Sequence, residues 1–403
     1  MKQLSATEQA LVAGIDQQAM LGRVLEWAAI NTGTGNLDGL ATLSALLADC
    51  LSQLPGEVRR ADPAEVTGVD ANGHVVTRRH GHHLVLSVRP EAQRRVILTG
   101  HMDTVFPADD PFQQVRWLDE ETINGPGTAD MKGGIAVMLA ALAALETSPA
   151  AARIGYDVLL NSDEETGSLS SAPLLAQLAR GKFAALTYEP SALPDGTLAH
   201  ARGGSGNFSV TFRGRAAHAG RNPQDGRNAL VAAADCAVRL KQMSHDDLPI
   251  NPAKIDGGSA NNVVPDLAVL RFNIRPKTSE AAQAFLSDFN DLLRFIEKLH
   301  DVSTHSHGGI TRPPKPVDAP AQKLFDLVRD AGAALGQEIG WKPSGGVCDG
   351  NNIAACGVAV VDTMGVRGGA IHSPQEYMIV PSLKERAALS AVVLHRLAEG
   401  DVL

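Results

Sequence analysis

Seven ionisable side chains fall where chemistry could be done. His101 and Asp103 follow the apolar run Val96-Ile-Leu. Asp130 follows the turn Gly125-Pro-Gly127 and opens an Ala-rich stretch. Glu164 and Glu165 follow Tyr156-Asp-Val-Leu-Leu160, Glu189 ends the run 183–187, and His372 lies beyond the apolar run 359–363. In open α/β sheets, ligands bind outside the carboxyl ends of the strands, so this order predicts that all seven converge on one rim. Two neutral imidazoles and three carboxylates can hold two divalent ions, with one carboxylate shared between them. Carboxylates packed together without a cation would repel one another, which is a physical reason to expect metal. Taken singly the pieces are weak. His-x-Asp is common in loops, a Glu-Glu pair is usually solvated surface, and Glu189-Pro190 could be turn chemistry. The ordered combination, each member at a strand end, carries the inference.

The elements that position these residues are legible in outline. A chain of 403 residues suits two domains. Apolar residues make up 44% and charged residues 20%, ordinary for a globular protein, while aromatics are only 4% and Gly numbers 39. That mix favours an α/β protein with tight strand-to-helix turns. Helical patterns cover 17–30 and 40–54, and strand-like runs follow at 83–88 and 95–99. A helix over 133–146 separates the next strands, as expected of a helix-covered, mostly parallel sheet. From about Gly203 the pattern changes to period-2 alternation, in 208–213 and 268–275, with helices near 228–243 and 280–298. The fold class expected is α/β, with a smaller α+β module inserted. The catalytic domain is placed at 1–202 and 316–403, and the inserted lid or dimerisation domain at 203–315. After the Pro-rich stretch Thr311-Arg-Pro-Pro-Lys-Pro316, the first pattern resumes with a helix near 322–335, the strand 359–363 and a closing helix near 383–397.

The net charge of −9 and the absence of a Lys/Arg run exclude an electrostatic footprint for nucleic acid. No apolar stretch approaches the ~20 residues that span a bilayer, so no membrane role is expected. The N-terminus lacks an apolar signal core, and the expected location is cytoplasmic. Cys50, Cys236, Cys348 and Cys356 form no C-x-x-C pair and are expected as reduced thiols.

Seven segments carry a family resemblance. They are Thr99-Gly-His-Met-Asp-Thr-Val105, Asn124-Gly-Pro-Gly-Thr-Ala-Asp-Met-Lys-Gly-Gly134, Asn161-Ser-Asp-Glu-Glu-Thr-Gly167, Tyr188-Glu-Pro190, Ala217-His-Ala-Gly220, Asn262-Val-Val-Pro265 and Ile371-His-Ser373. Together they resemble the M20 family of metallopeptidases, in family order and across nearly the whole chain. The resemblance implies that Asp130 bridges two metal ions, that His101 and Glu189 complete one site, and that Glu165 and His372 complete the other. It implies that Asp103 sits behind His101 and orients it, and that Glu164 is the general base and then the acid. Two such ions can share a water, lower its pKa and polarise a carbonyl. The lid histidine, here His218, would stabilise the oxyanion from the partner subunit of a homodimer. The metal is zinc by analogy, and cobalt or manganese suits the same N/O ligands.

Substrate recognition rests on fewer residues. Arg275 shares a strand face with Arg271 and Asn273, opposite Leu270, Phe272 and Ile274, and could present a guanidinium to a cleft. The resemblance implies that Arg275 clamps a substrate carboxylate with help from Asn262, and that the loop of Gly345, Gly346 and Cys348 contacts the same group. Cys348 departs from the family, where a small hydroxyl residue or glycine is usual, and a thiol is a weaker hydrogen-bond partner. The histidines 74, 80, 82, 83, 305 and 307 match no family site and are expected as exposed strand or loop residues.

The expected activity is therefore metal-dependent cleavage of an amide bond next to a free carboxylate. The expected substrate is a small N-acyl amino acid or short peptide, and the leading type is a glutamate carboxypeptidase. The alternative is an N-acyl-amino-acid deacylase of the acetylornithine or succinyl-diaminopimelate kind. A non-catalytic binding protein on the same fold predicts loss of Glu164 or of a ligand, and all are present.

Overall fold

A computed structural model describes residues 3–400. The chain forms two compact units, one of residues 1–64, 79–201 and 317–403, the other of residues 65–78 and 202–316. The first is built on a six-stranded sheet in the order Glu57–Ala61, His83–Val88, Gly155–Asn161, Arg95–His101, Ala184–Thr187, Ala359–Val361. The last four strands run parallel and the first two pairings are antiparallel. Arg95–His101 lies between Gly155–Asn161 and Ala184–Thr187. From Arg95–His101 the chain goes on to Gly155–Asn161 on one side, and from Ala184–Thr187 it goes on to Ala359–Val361 on the other, so the carboxyl ends of these two neighbouring strands are where such sheets open a crevice.

Apart from the edge strand Glu57–Ala61, which is mostly exposed, the strands of this sheet are largely apolar and buried on both faces, as strands covered on both sides must be. All seven residues of Gly155–Asn161 are buried. Its one internal charge, Asp157, is compensated: the carboxylate accepts from Ser87 Oγ at 2.6 Å and Arg95 Nη2 at 2.7 Å, and pairs with Lys182 Nζ at 2.8 Å. The helix Gly134–Glu146 is apolar almost all round and packs on the closing helix Ser382–Glu399. The stretch Thr128–Glu146 is long and apolar enough to cross a membrane by length and composition, contrary to the sequence reading. It is 89% buried inside the protein, so service as a core helix accounts for its composition.

The second unit is a four-stranded antiparallel sheet in the order Ile250–Gly257, Leu267–Ile274, Ser205–Arg213, Ser303–Arg312. Its helices are Ala229–Gln242 and Ser279–His300. Phe208, Phe272, Phe285 and Phe289 form its aromatic centre, with ring centroids 5.1–6.2 Å apart in edge and stacked contacts.

The hairpin Val66–Val69 and Val75–Arg78 was expected in the first domain but belongs to the second unit. The cause is polar. Arg271 donates to the carbonyls of Val69 and Asp70 at 3.0 and 2.9 Å, and Thr67 Oγ1 lies 2.9 Å from His307 Nε2. Arg271 is thus committed to the hairpin.

Candidate metal centre

His101 ends its strand and is 1% exposed. Its Nδ1 lies 2.9 Å from the main-chain oxygen of Asp103 and 3.5 Å from that residue's Oδ1. A carbonyl oxygen can only accept, so Nδ1 carries a proton and donates it to that oxygen, which leaves Nε2 to face the cluster. Nε2 faces Asp130 Oδ1 at 3.1 Å and Glu189 Oε2 at 3.7 Å. The carboxylate of Asp103 has a further task. It accepts from the main-chain N–H of Glu164 at 3.1 Å, that of Glu165 at 3.2 Å and the hydroxyl of Thr34 at 2.8 Å. It therefore holds the turn that carries both glutamates.

That turn is short. Gly167 takes φ +100° and donates its N–H to the Glu164 carbonyl at 2.8 Å. Only glycine adopts such a φ cheaply, so the tight reversal that aims two adjacent carboxylates depends on it. Behind it, the buried Asp163 accepts from Ser170 N and Oγ at 2.6 and 2.8 Å. The buried Asp349 accepts from Asn161 Nδ2 and Ser168 Oγ, both at 2.5 Å.

Asp130 lies where the chain leaves a turn and enters the helix Gly134–Glu146, and its own backbone is extended (φ −116°, ψ 91°). Its two oxygens part company. Oδ1 faces His101, and Oδ2 lies 3.3 Å from Nε2 of His372, which is also 3.2 Å from Glu165 Oε2. His372 is half exposed and takes a left-handed backbone at φ +63°, a conformation that non-glycine residues hold at a cost. One donor atom each from His101, Asp130 and Glu165 fall within 4.8 Å of one another, as do those of His101, Glu164 and Glu189.

The electrostatics match a site made for cations. Burial, with the Asp130 charge added, pushes the Glu165 carboxyl up to about 8. Hydrogen bonds to Asp130 and Glu165 hold His372 up at about 11. Burial works to lower the pKa of His101, but contacts with Asp103, Asp130 and Glu189 outweigh it and raise the ring well above its ordinary value. Protons are thus retained in a cluster of nitrogen and oxygen donors, and divalent ions would replace them. The donor set fits the metals expected of it.

The structure therefore brings together His101, Asp103, Asp130, Glu164, Glu165, Glu189 and His372. Sequence reading missed Glu376. It is 1% exposed, and its carboxylate accepts main-chain N–H groups from Gly127 (3.2 Å), Ala129 (2.9 Å) and Asp130 (3.1 Å). Burial and the Asp130 charge push its carboxyl up to about 7. The available signal was its place four residues after His372. Lys132 was missed too; it is 1% exposed with Nζ 2.9 Å from the Ile30 carbonyl, and burial lowers it to about 7.

The remaining candidates sit in their own local settings. In the second unit, His218 is exposed and pairs across a short ladder with Val263, next to Asn262, whose carbonyl accepts from Ala219 N at 2.9 Å. His218 Nδ1 accepts from the N–H groups of Gly220 and Arg221 at 3.1 and 3.2 Å. With Nδ1 accepting, the neutral ring carries its proton on Nε2, which becomes an outward donor. Arg275 reaches solvent but is partly desolvated, with Nε donating to Asn273 Oδ1 at 2.8 Å; that partial burial and the Arg312 charge lower its pKa. In the first unit, Gly345 and Gly346 are exposed, whereas Cys348 is 2% exposed at the start of the helix Asp349–Ala354. All four thiols are free. The expectation of exposed histidines fails at His83, which is fully buried with its nitrogens 3.5 Å from Ser162 Oγ and 3.4 Å from Ser170 Oγ.

The chain as a whole is similar to known proteins. The model of peptidase family M20/M25/M40 matches residues 97–396. Carboxypeptidase G2 of Pseudomonas sp. (strain RS-16) is 29% identical over 402 residues, covering 96% of this chain and 92% of that protein. A succinyl-diaminopimelate desuccinylase of Xanthomonas oryzae pv. oryzae (strain PXO99A) is 27% identical over 324 residues, 75% of this chain and 83% of that protein. Among solved structures, a tripeptidase of Staphylococcus aureus superposes with a TM-score of 0.72 at 24% identity, covering 96% of this chain and 99% of that one. At that identity the likeness speaks for the fold.

Proposed function

Because this chain belongs to peptidase family M20/M25/M40 and is a metallopeptidase, we propose that it hydrolyses the amide bond beside a free α-carboxylate. The amino acid released is acidic, from an N-acyl or short-peptide substrate. The observation that carries the reading is the division of Asp130, one oxygen toward His101 and the other toward His372. A carboxylate so placed could serve two divalent ions, one through each oxygen, and would be shared between their sites. Likeness to carboxypeptidase G2 over 96% of the chain favours carboxypeptidase action over the desuccinylase alternative, whose match covers 75%.

His101 and Glu189 would hold one divalent ion, Glu165 and His372 the other, and Asp130 both. Zinc is the proposed metal. When bound, the ions supply a water of lowered pKa and draw charge from a carbonyl oxygen. Glu164 accepts the proton of the attacking water and returns it to the leaving nitrogen. Asp103 keeps Glu164 and Glu165 aimed through their main-chain N–H groups. His218, through Nε2–H, donates to the developing oxyanion from the second subunit of a homodimer. Arg275 and Asn262 are the groups assigned to the free carboxylate, as is the loop of Gly345, Gly346 and Cys348.

The test is a hydrolysis screen with added zinc over N-acyl amino acids that differ in the carboxylate-bearing residue. Faster release of glutamate or aspartate than of neutral or basic residues is expected. Cleavage of N-succinyl-diaminopimelate without cleavage of N-acyl-glutamates would move the assignment to the deacylase type, and failure on every substrate would remove both.

A further inference from the structure

Glu376 joins two segments that are distant in sequence. One of its oxygens, Oε1, accepts from both Ala129 N at 2.9 Å and Asp130 N at 3.1 Å, while Oε2 accepts from Gly127 N at 3.2 Å. Its main-chain oxygen accepts from Asn124 Nδ2 at 2.6 Å and Gly125 N at 3.3 Å, and its own N–H donates to Ser373 O at 3.0 Å. One residue thus ties the segment that ends in Asp130 to the turn that carries His372. Three N–H groups converging on an anion make a nest, and hydrogen bonds to a charged acceptor are about twice as strong as neutral ones. Gly127, at φ +70°, lets the chain curl round the carboxylate.

The clamp bears on the distance that matters. His372 Nε2 lies 3.3 Å from Asp130 Oδ2, and both belong to segments that Glu376 holds together. We propose that Glu376 is a positioning residue for the metal pair: by fixing the main chain of Asp130 against the turn of His372, it sets the bite of the site nearer His372 and Glu165. This rests on the two-metal reading above. The geometry also explains why the residue must be a carboxylate. Glutamine keeps one accepting oxygen, but its amide NH2 must then face Gly127 N–H, or else the paired N–H groups of Ala129 and Asp130. Aspartate is one carbon shorter and would not reach all three.

The experiment compares wild type, Glu376→Gln and Glu376→Asp as metal-free proteins titrated with Co(II). Affinity and stoichiometry are read from binding and the visible spectrum, beside far-UV circular dichroism and kcat and KM. The expected result for Glu376→Gln is native circular dichroism, one ion bound as in wild type, and about 10–100-fold weaker binding of the second, in the range found for groups that orient ligands. Its Co(II) spectrum would be altered, with kcat reduced more than KM and recovered in part at high metal. Glu376→Asp would not rescue it. Two ions bound at wild-type affinity with a wild-type spectrum would overturn the proposal. Where Glu376→Gln fails to fold, Asn124→Ala, which frees the same turn from its main-chain side, decides in the same titration. Weaker binding of one ion supports the clamp, and wild-type binding of both overturns it. A wild-type protein that binds no metal would sink the two-metal reading itself, a result distinct from either.

Discussion

The main-chain N–H of Glu164 donates to Oδ1 of Asp103 over 3.1 Å, and the neighbouring N–H of Glu165 takes the other oxygen. Asp103 also presents its carbonyl oxygen to His101. One buried residue thus fixes the ring of a proposed ligand and the turn that carries the proposed base. Replacement by asparagine keeps the size but puts an NH2 group against an N–H donor. Asp103→Asn is expected to lower kcat by about 10–100-fold, with KM and the unfolding midpoint little changed. Steady-state kinetics beside thermal unfolding check this, and a variant with wild-type kcat contradicts it.

Removing the base itself should cost more. Glu164→Gln is expected to lose about 10²–10⁴ in kcat, the usual worth of a positioned proton acceptor, while metal content stays at the wild-type value. Elemental analysis of the purified variant separates this from ligand loss. Near-normal turnover with metal bound would transfer the role to another group.

Much of this was legible in the sequence, for identifiable reasons. The strands Arg95–His101, Gly155–Asn161 and Ala184–Thr187 announce themselves as short apolar runs that stop at polar residues. The helix Gly134–Glu146 follows from an Ala/Leu-rich stretch behind two glycines. The hairpin Val66–Arg78 was assigned to the wrong unit because its attachment is made by Arg271, His307 and Thr67, polar contacts that no periodicity records. The strand Ser303–Arg312 escaped because His, Ser and Gly fill it. In the centre, the residues whose own side chains face one another stood out by type and order. Glu376 and Asp163 did not, because they act on main-chain N–H groups, and a sequence does not show which backbone donors a carboxylate will meet.

His218 offers a test of assembly. Its Nδ1 is occupied by the N–H groups of Gly220 and Arg221, leaving Nε2–H to donate. His218→Ala is expected to lose about 10²–10³ in kcat. If the ring acts across a homodimer, a 1:1 mixture of His218→Ala and Glu164→Ala, dissociated and reassociated, regains up to about a quarter of the wild-type activity, because each mixed dimer holds one intact site. Two inactive proteins that stay inactive when mixed would place the ring in the same chain's site.

The second unit has a concentrated core. Phe285 is fully buried among Phe208, Phe272 and Phe289. Phe285→Ala is expected to destabilise this unit by about 3–5 kcal/mol, the cost of an aromatic cavity that neighbours cannot fill. Chemical denaturation followed by circular dichroism measures it, and a loss under about 1 kcal/mol would show a core that collapses around the gap.

The two-metal centre is the claim on which the rest depends, and metal stoichiometry linked to activity tests it most directly. Protein stripped exhaustively with a chelator, then titrated with zinc while hydrolysis of an N-acyl-glutamate is followed, should be inactive at the start. It should regain full activity as two ions bind per chain around His101, Asp130, Glu165, Glu189 and His372. Full hydrolysis in the stripped protein, or saturation at a single ion with full activity, would contradict the account.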